Sequence, residues 1–409
     1  MRRIQTLFLV LFCFFKSGEA NELTWEEVIP RILAYSPRLK IAEAEVHAKQ
    51  GQHIQTELYP NPLVSYSVEN VLGNTNWRGW QAAESRYELA QLIETGWKRY
   101  FRSQDATYQF FGALAGFDGI KLQVLNASSR AFITLIAAQE QHQIALEQKK
   151  IAFKMLEIVS AKVEAGKVSL IQQHKAKIAL AKAEIQLEKQ RSAIYSAKQN
   201  LALLWGTSCI DFETALYPFY EMESPPDIAS YLCGLASHPE LAKSQYEYRA
   251  LRFNLSLERA QVIPDLTLTV GYKTDQERHD KGMIFGASLP LPLFNQNQGN
   301  IEKARAELTK GLETVTLLEA TLENKIYVVY RQLIQSYRES LRLKTTLVES
   351  ATQSFLLAQE GYREGKFEYL DMLDAQRTLF EVKENYIESL KNFHFRQAQL
   401  KFLTTQDNA

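Results

Sequence analysis

Two short stretches of the chain alternate apolar and polar side chains with a period of two. After Pro62, Val64, Tyr66 and Val68 alternate with Ser65, Ser67 and Glu69; after Pro264, Leu266, Leu268, Val270 and Tyr272 alternate with Thr267, Thr269, Gly271 and Lys273. Alternation of this kind predicts strands with one oily and one wet face. Each is followed by a less regular return stretch, Tyr87 and Leu89 in the first case, Phe285, Ala287 and Leu289 in the second. The pairs predict two hairpins, over about 63–92 and 265–291, closed by the polar loops Leu72 to Ala83 and Asp275 to Gly282. Elsewhere the period lengthens to that of a helix. Tracts at about 95–163 and 298–362 are each long enough for roughly 65 helical residues, about 100 Å at 1.5 Å per residue. Shorter return helices are expected at about 169–205 and 369–405, the latter with Leu379, Val382, Tyr386, Leu390 and Phe393 in a coiled-coil stripe.

The proline positions reinforce this division. All eleven prolines fall at 30, 37, 60, 62, 218, 225, 226, 239, 264, 290 and 292, which leaves 63–217 and 293–409 open to long helices. The punctuation also repeats. Leu33-Ala34-Tyr35-Ser36-Pro37-Arg38-Leu39 returns as Leu235-Ala236-Ser237-His238-Pro239-Glu240-Leu241, and Gly166-Lys167 returns as Gly365-Lys366, where each glycine supplies a chain reversal after a helix. The chain therefore reads as two copies of one helix–hairpin–long-helix plan, 21–205 and 228–409, joined by a linker over 206–227. Gly112, Gly116 and Gly119 lie on one face of the first long tract, where they either admit a close helix neighbour or break the helix.

Residues 1–20 carry Arg2 and Arg3, an apolar run from Ile4 to Phe15, and small residues ahead of Asn21, the pattern of a cleaved export signal. Cys13 as a lipid acceptor is disfavoured by bulky Phe12 before it. Past this segment no apolar run approaches the roughly 18 residues of a membrane-spanning helix, so any membrane crossing falls to the strands. Lys plus Arg (47) balances Asp plus Glu (47), which removes the basic excess that nucleic-acid binding needs. In an oxidising compartment Cys209 and Cys233 permit one disulfide, with two free thiols equally open.

Strands with a lipid-compatible face must pair every backbone polar group, which only a closed barrel achieves in a bilayer. Four strands are too few to close, since the smallest membrane barrels use about 8. Two copies of the chain would supply 8 strands and three copies 12, so an oligomer is expected, and cyclic closure is its usual form. The helices would continue such a barrel as a helical tube. A soluble coiled-coil protein with two incidental hairpins is the competing fold.

At this point the residues resemble a known family. The order of elements, the internal duplication, and Gly361-Tyr362-Arg363-Glu364-Gly365-Lys366 followed by Tyr369-Leu370-Asp371-Met372-Leu373-Asp374-Ala375-Gln376 are similar to the TolC-type outer-membrane efflux proteins. Pro60-Asn61-Pro62, Glu69-Asn70, Gln91-Leu92-Ile93-Glu94-Thr95-Gly96-Trp97-Lys98-Arg99 and Leu291-Pro292-Leu293-Phe294-Asn295-Gln296-Asn297-Gln298-Gly299-Asn300-Ile301 resemble the branch that serves heavy-metal resistance-nodulation-division pumps. The resemblance implies an α+β membrane protein: a homotrimer with a 12-stranded transmembrane β-barrel, four strands per chain, in the bacterial outer membrane. An α-helical tunnel would continue it through the periplasm, docked to an adaptor and an inner-membrane pump. It also implies an acidic constriction at Asp371 and Asp374, a gate tyrosine at Tyr362, and adaptor contact at the tips around Gly166, Lys167, Gly365 and Lys366. The first copy carries Gln172 and Lys175 at the positions of the two aspartates. Phe367 stands where the family's gate often has arginine, which leaves Arg363 or Lys366 for the gate's ion pair.

No residue set points to catalysis. The seven histidines, 47, 53, 142, 174, 238, 279 and 394, include no i, i+4 pair, and no Cys-x-x-Cys, Gly-x-Ser-x-Gly or phosphate-cradling loop occurs. No cofactor and no metal-ligand constellation is expected, so a metal substrate rests on the resemblance alone. Three functions compete: a passive conduit for efflux of metal cations, the same conduit for organic compounds or proteins, and a pore-less periplasmic adaptor or scaffold. An adaptor would carry a compact β-rich domain beside its helical hairpin, for which the pattern offers no segment.

Overall fold

The computed structural model describes residues 22–72, 74 and 79–404; the expected export signal and the crown of the first hairpin loop lie outside them. In chain order the elements are β1 (Glu22–Thr24), α1 (Trp25–Tyr35), α2 (Pro37–Glu57), β2 (Leu63–Glu69), β3 (Glu84–Ile93), α3 (Lys98–Glu164) and α4 (Leu170–Leu204). The second half continues with β4 (Thr214–Leu216), α5 (Ile228–Leu232), α6 (Pro239–Ala260), β5 (Leu266–Asp275), β6 (Asp280–Ser288), α7 (Gln298–Arg342), α8 (Val348–Glu364) and α9 (Tyr369–Leu403). Among the described residues no helix is long and apolar enough to cross a membrane.

Two compact units emerge, and neither is one of the sequence copies. One holds the chain up to Ala34 with Ser128–Glu223 and Glu339–Lys391; the other holds Tyr35–Ala127, Ser224–Arg338 and the chain from Asn392. Each unit draws on both copies, and the long helices α3, α7 and α9 contribute residues to both units.

The second unit contains a four-stranded antiparallel sheet in the order β2-β3-β5-β6. Its register aligns the apolar positions of all four strands on one face. Val64, Leu89, Val270 and Phe285 form one rung, and Tyr66, Tyr87, Tyr272 and Met283 the next. The Tyr66 and Tyr87 rings meet at 4.7 Å, a cross-strand aromatic pair of the kind that stabilises sheets. The rungs of the opposite face turn polar toward the hairpin loops: Ser67, Arg86, Lys273 and Gly282, then Glu69, Glu84, Asp275 and Asp280. On that face Lys273 pairs with Glu84, and Arg86 lies 3.8 Å from both Glu69 and Glu88. The apolar face is uncovered within the chain, with Val64 76% and Phe285 80% exposed. The hairpin β5-β6 runs further than its sequence pattern indicates. Asp275 holds its turn by accepting the Glu277 and Arg278 amides at 3.0 and 3.2 Å.

Helices α2 and α6 start alike, each with proline in its first turn, where the missing amide hydrogen costs nothing. In α6 the cap is His238, whose ring nitrogen accepts the Glu240 amide at 3.3 Å. Burial lowers this imidazole from its ordinary value and favours the neutral ring that accepting requires. Helix α3 runs unbroken through Gly112, Gly116 and Gly119, which face Glu247, Lys243 and Glu240 of α6. This settles the glycine face in favour of a close neighbour. A Cβ at Gly112 would sit 3.7 Å from Glu247, an ordinary contact. Gly112→Ala is therefore expected to stabilise α3 by up to about 1 kcal/mol through helix propensity, read as a higher helix-melting temperature by circular dichroism; a lower one would show that the face is closed to a methyl group.

The other long tract departs from expectation. Between α7 and α8, Leu343–Leu347 form a π-helical turn, with Leu343 buried. The β-branched pair Thr345 and Thr346 falls in this turn, and the Thr345 hydroxyl donates back to the Leu341 carbonyl at 2.9 Å, competing with regular helix bonds.

Candidate functional site

Both predicted tips close in the same way. Gly166 and Gly365 sit at φ 68° and 80°, the left-handed region that glycine tolerates best. The Gly166 amide donates to Val163 and the Lys167 amide to Lys162, both at 2.9 Å. At the second tip Gly365 donates to Tyr362 at 3.2 Å and Lys366 to Gly361 at 2.7 Å. These are matching two-bond helix stops that satisfy the last carbonyls.

Around the second tip, α3, α4, α8 and α9 enclose an apolar cluster of Met155, Val159, Ala176, Phe355, Met372 and Leu379, with Tyr362 and Tyr369 inside it. Tyr362 is only 3% exposed, and its ring lies 5.6 Å from that of Tyr369. Three groups hold it. The Lys162 ammonium sits 4.0 Å over the ring and also donates to the Tyr362 carbonyl, and the Tyr362 hydroxyl donates to Gln172 Oε1 at 3.3 Å. Tyr362 thus ties α8 to both helices of the first tip. Burial raises the Tyr362 phenol above its ordinary value, and burial with Tyr362 beside it pushes Tyr369 up to about 12. Desolvation, then Lys167, lowers the Lys162 ammonium.

The two aspartates differ in their surroundings. Both are exposed on the first turns of α9. Asp371 accepts the Glu368 amide at 3.0 Å, the reach-back of a third-position acid to the helix cap. Asp374 presents its carboxylate to the surface, on the same helix face three residues on. Of the residues expected to engage the gate, Arg363 pairs with Glu360 at 2.6 Å and Lys366 with Glu364 at 2.6 Å. Neither reaches an aspartate. Phe367 has a packing role instead: a Cβ on Gly361 would collide with its ring, so the phenyl covers the glycine at the turn. Lys162, the residue that does meet the tyrosine, carries no sequence signal, because its partner is 200 residues away. Cys209 and Cys233 are free, exposed thiols. Among the described residues no group of three or more His, Cys, Asp or Glu is arranged to hold a metal ion.

A second constellation binds the sheet to its helices. At the end of β3, Gly96 adopts φ 66° with Ile263 and Ala260 packed where a side chain would stand. Beside it the Thr95 amide donates to Asp265 at 2.9 Å, and the Lys98 ammonium to the same oxygen at 2.8 Å. Arg102 grips Glu94 through both carboxylate oxygens, at 2.6 and 3.0 Å. The segment Glu94-Thr95-Gly96-Trp97-Lys98-Arg99 thereby acquires a structural purpose, the fixed exit angle of α3 from β3.

The family model described as outer membrane efflux protein matches residues 28–207 and 234–406, one match for each half of the chain. The chain belongs to the outer membrane efflux protein family. It is 30% identical over 376 residues to the cobalt-zinc-cadmium resistance protein CzcC of Cupriavidus metallidurans, covering 91% of this chain and 88% of that one. It is 23% identical to the nickel and cobalt resistance protein CnrC of the same organism, over 75% of this chain and 71% of that one. Among solved structures, the outer membrane protein VceC of Vibrio cholerae superposes with a TM-score of 0.80 at 18% identity, over 93% of this chain and 95% of that one. CusC superposes with a TM-score of 0.74 at 16% identity, over 93% and 91%. The fold is that of the TolC-type efflux channels, and a pore-less adaptor is set aside. As an outer membrane efflux protein the chain is a conduit and not an enzyme.

Proposed function

We propose that this efflux protein is the outer-membrane duct of a tripartite exporter of heavy-metal cations, working as a homotrimer with a periplasmic adaptor and a resistance-nodulation-division pump. The observation that carries the duct is the sheet: four strands, an uncovered apolar face and two unpaired edges, β2 and β6. Three copies joined edge to edge give the even-numbered closed barrel that lipid demands. The metal assignment is supported by the likeness to CzcC and CnrC. The chain itself supplies no energy coupling, so export is driven from the pump.

The exposed carboxylates of Asp371 and Asp374 would recur threefold around the tip. Rings of carboxylates in a narrow bore attract cations and repel anions. In planar bilayers the double variant Asp371→Ala, Asp374→Ala is expected to lower the cation-over-anion preference several-fold, with Asp374 contributing most because Asp371 is engaged at the helix cap. Unchanged selectivity would remove the ring. The tips around Gly166-Lys167 and Gly365-Lys366 are the adaptor-facing ends in this reading. A strain lacking the gene should become sensitive to zinc, cobalt, cadmium, copper or silver while keeping its tolerance of dyes and detergents; the reverse pattern would assign the duct to organic compounds. That second reading draws on a 23% likeness to the pyoverdine export outer membrane protein OpmQ of Pseudomonas aeruginosa.

A further inference from the structure

Where the strands hand over to the helices, a cleft of about 870 Å³ opens beside Glu57, Tyr59, Leu92, Ile93, Trp97 and Tyr100. Its lining mixes polar groups such as Glu57, Gln91 and Ser103 with an aromatic stretch of Tyr59, Trp97 and Tyr100 that no described residue covers: Trp97 is 77% and Tyr59 72% exposed. The indole is held there at a cost, since Trp97 adopts φ 61°, a conformation that bulky residues avoid and that persists only where the surroundings enforce it. The Arg99 guanidinium lies 3.6 Å over the Tyr59 ring and fixes one wall.

The opposite edge of the same unit carries a complementary piece. After β6 the chain runs out as Leu289-Pro290-Leu291-Pro292-Leu293-Phe294, an uncharged strap whose Phe294 is 93% exposed and whose Leu291 and Leu293 are about as bare as Trp97. The strap is not loose. Two prolines stiffen it, and beyond its crown the Asn297 side chain donates to the Glu258 carbonyl at 2.8 Å and carboxylate at 2.6 Å.

The strand order decides what lies next to it. Strands β2, β3, β5 and β6 alternate in direction, so β2 and β6 are antiparallel to each other. Edge-to-edge closure places the end of β6 beside the start of β2 of the next copy, and Tyr59 stands just ahead of that start, across Pro60-Asn61-Pro62. We propose that the Leu291–Phe294 strap of one copy seats in the Tyr59–Trp97–Tyr100 cleft of its neighbour, so that each cleft is completed only by a second copy. This rests on the trimeric barrel proposed above. It supplies what β-strand pairing alone lacks: a side-chain lock between neighbouring copies that seals the seam where barrel becomes tube.

The test uses the full-length protein in native outer membranes, with Cys209 and Cys233 first replaced by serine. One pair of cysteines, at Tyr59 and Phe294, reports the lock; another, at Ser65 and Gly286 on the two free strand edges, reports barrel closure. A short bis-maleimide is expected to link both pairs into dimers and trimers on denaturing gels, while a control pair at Glu277 and Phe294, at opposite ends of β6, gives monomer. Edge cross-links without Tyr59–Phe294 cross-links overturn the lock but keep the barrel, and labelling of the Phe294 cysteine by a lipid-soluble maleimide would then place the strap in the bilayer. Loss of both cross-links overturns ring closure and the lock with it.

Discussion

Tyr362→Ala should leave the purified channel conducting without its partners, whereas the parent protein is expected to be mostly closed. The ring is buried among the tip helices, and truncating a buried aromatic to alanine typically costs 3–5 kcal/mol. That loss falls on the contact joining α8 to α3 and α4, and it also strips Lys162 of its ring. Two further substitutions separate the contributions. Tyr362→Phe keeps the packing and removes one long hydrogen bond to Gln172, for which about 1 kcal/mol is the upper end, so its channels should stay mostly closed. Lys162→Met keeps the side-chain stem and removes a cation–π contact of about 0.5–2 kcal/mol, so it should fall between the two. Planar-bilayer conductance and cellular uptake of a bulky antibiotic measure the series. If Tyr362→Ala closes as well as the parent, the tyrosine does not hold the tip. The phenol's raised value adds a pH condition. A tyrosine raised on folding stabilises fully below its unfolded value of about 10 and loses that contribution as pH rises beyond it, so the closed state should be indifferent to pH from 5 to 9 on this account.

The second large effect belongs to Lys98. Its ammonium is 4% exposed and its partner Asp265 is 24% exposed, so the pair is buried on one side and half-wet on the other. Removing one member of a buried pair costs about 3–5 kcal/mol because the other charge is left uncompensated; with Asp265 reaching some solvent, the lower end applies. Lys98→Met should therefore reduce the yield of heat-resistant trimer sharply, and Lys98→Met with Asp265→Leu should recover much of it. The midpoint of trimer dissociation in detergent reads both. Equal losses in the single and double variants would mean that the ion pair is incidental to the junction.

These two positions also show where sequence reasoning runs out. The period-two stripe of β2 and β5 was enough to assign the oily face, because alternation is a property of each strand alone, and the register then aligned the weaker stripes of β3 and β6 with it. The tips were equally legible, since Gly166 and Gly365 stop their helices by a local backbone conformation. Asp371 and Asp374 could be placed on one face by spacing, but spacing did not separate the cap from the exposed carboxylate. Phe367 looked like a missing arginine and proved to be the cover of Gly361. The π turn at Leu343–Leu347 was concealed by a pattern that continues through it with little change.

What the sequence determined by itself is therefore everything with a short repeat: strand faces and the helix tracts between prolines. Periodicity and local backbone preference are set within a few residues. The tertiary structure decided the partnerships. Lys162 meets Tyr362 across 200 positions, Gln172 meets it across 190, and Lys98 meets Asp265 across 167. A polar side chain has many acceptable partners along a chain, and only the packing of helices and strands around it leaves one within reach.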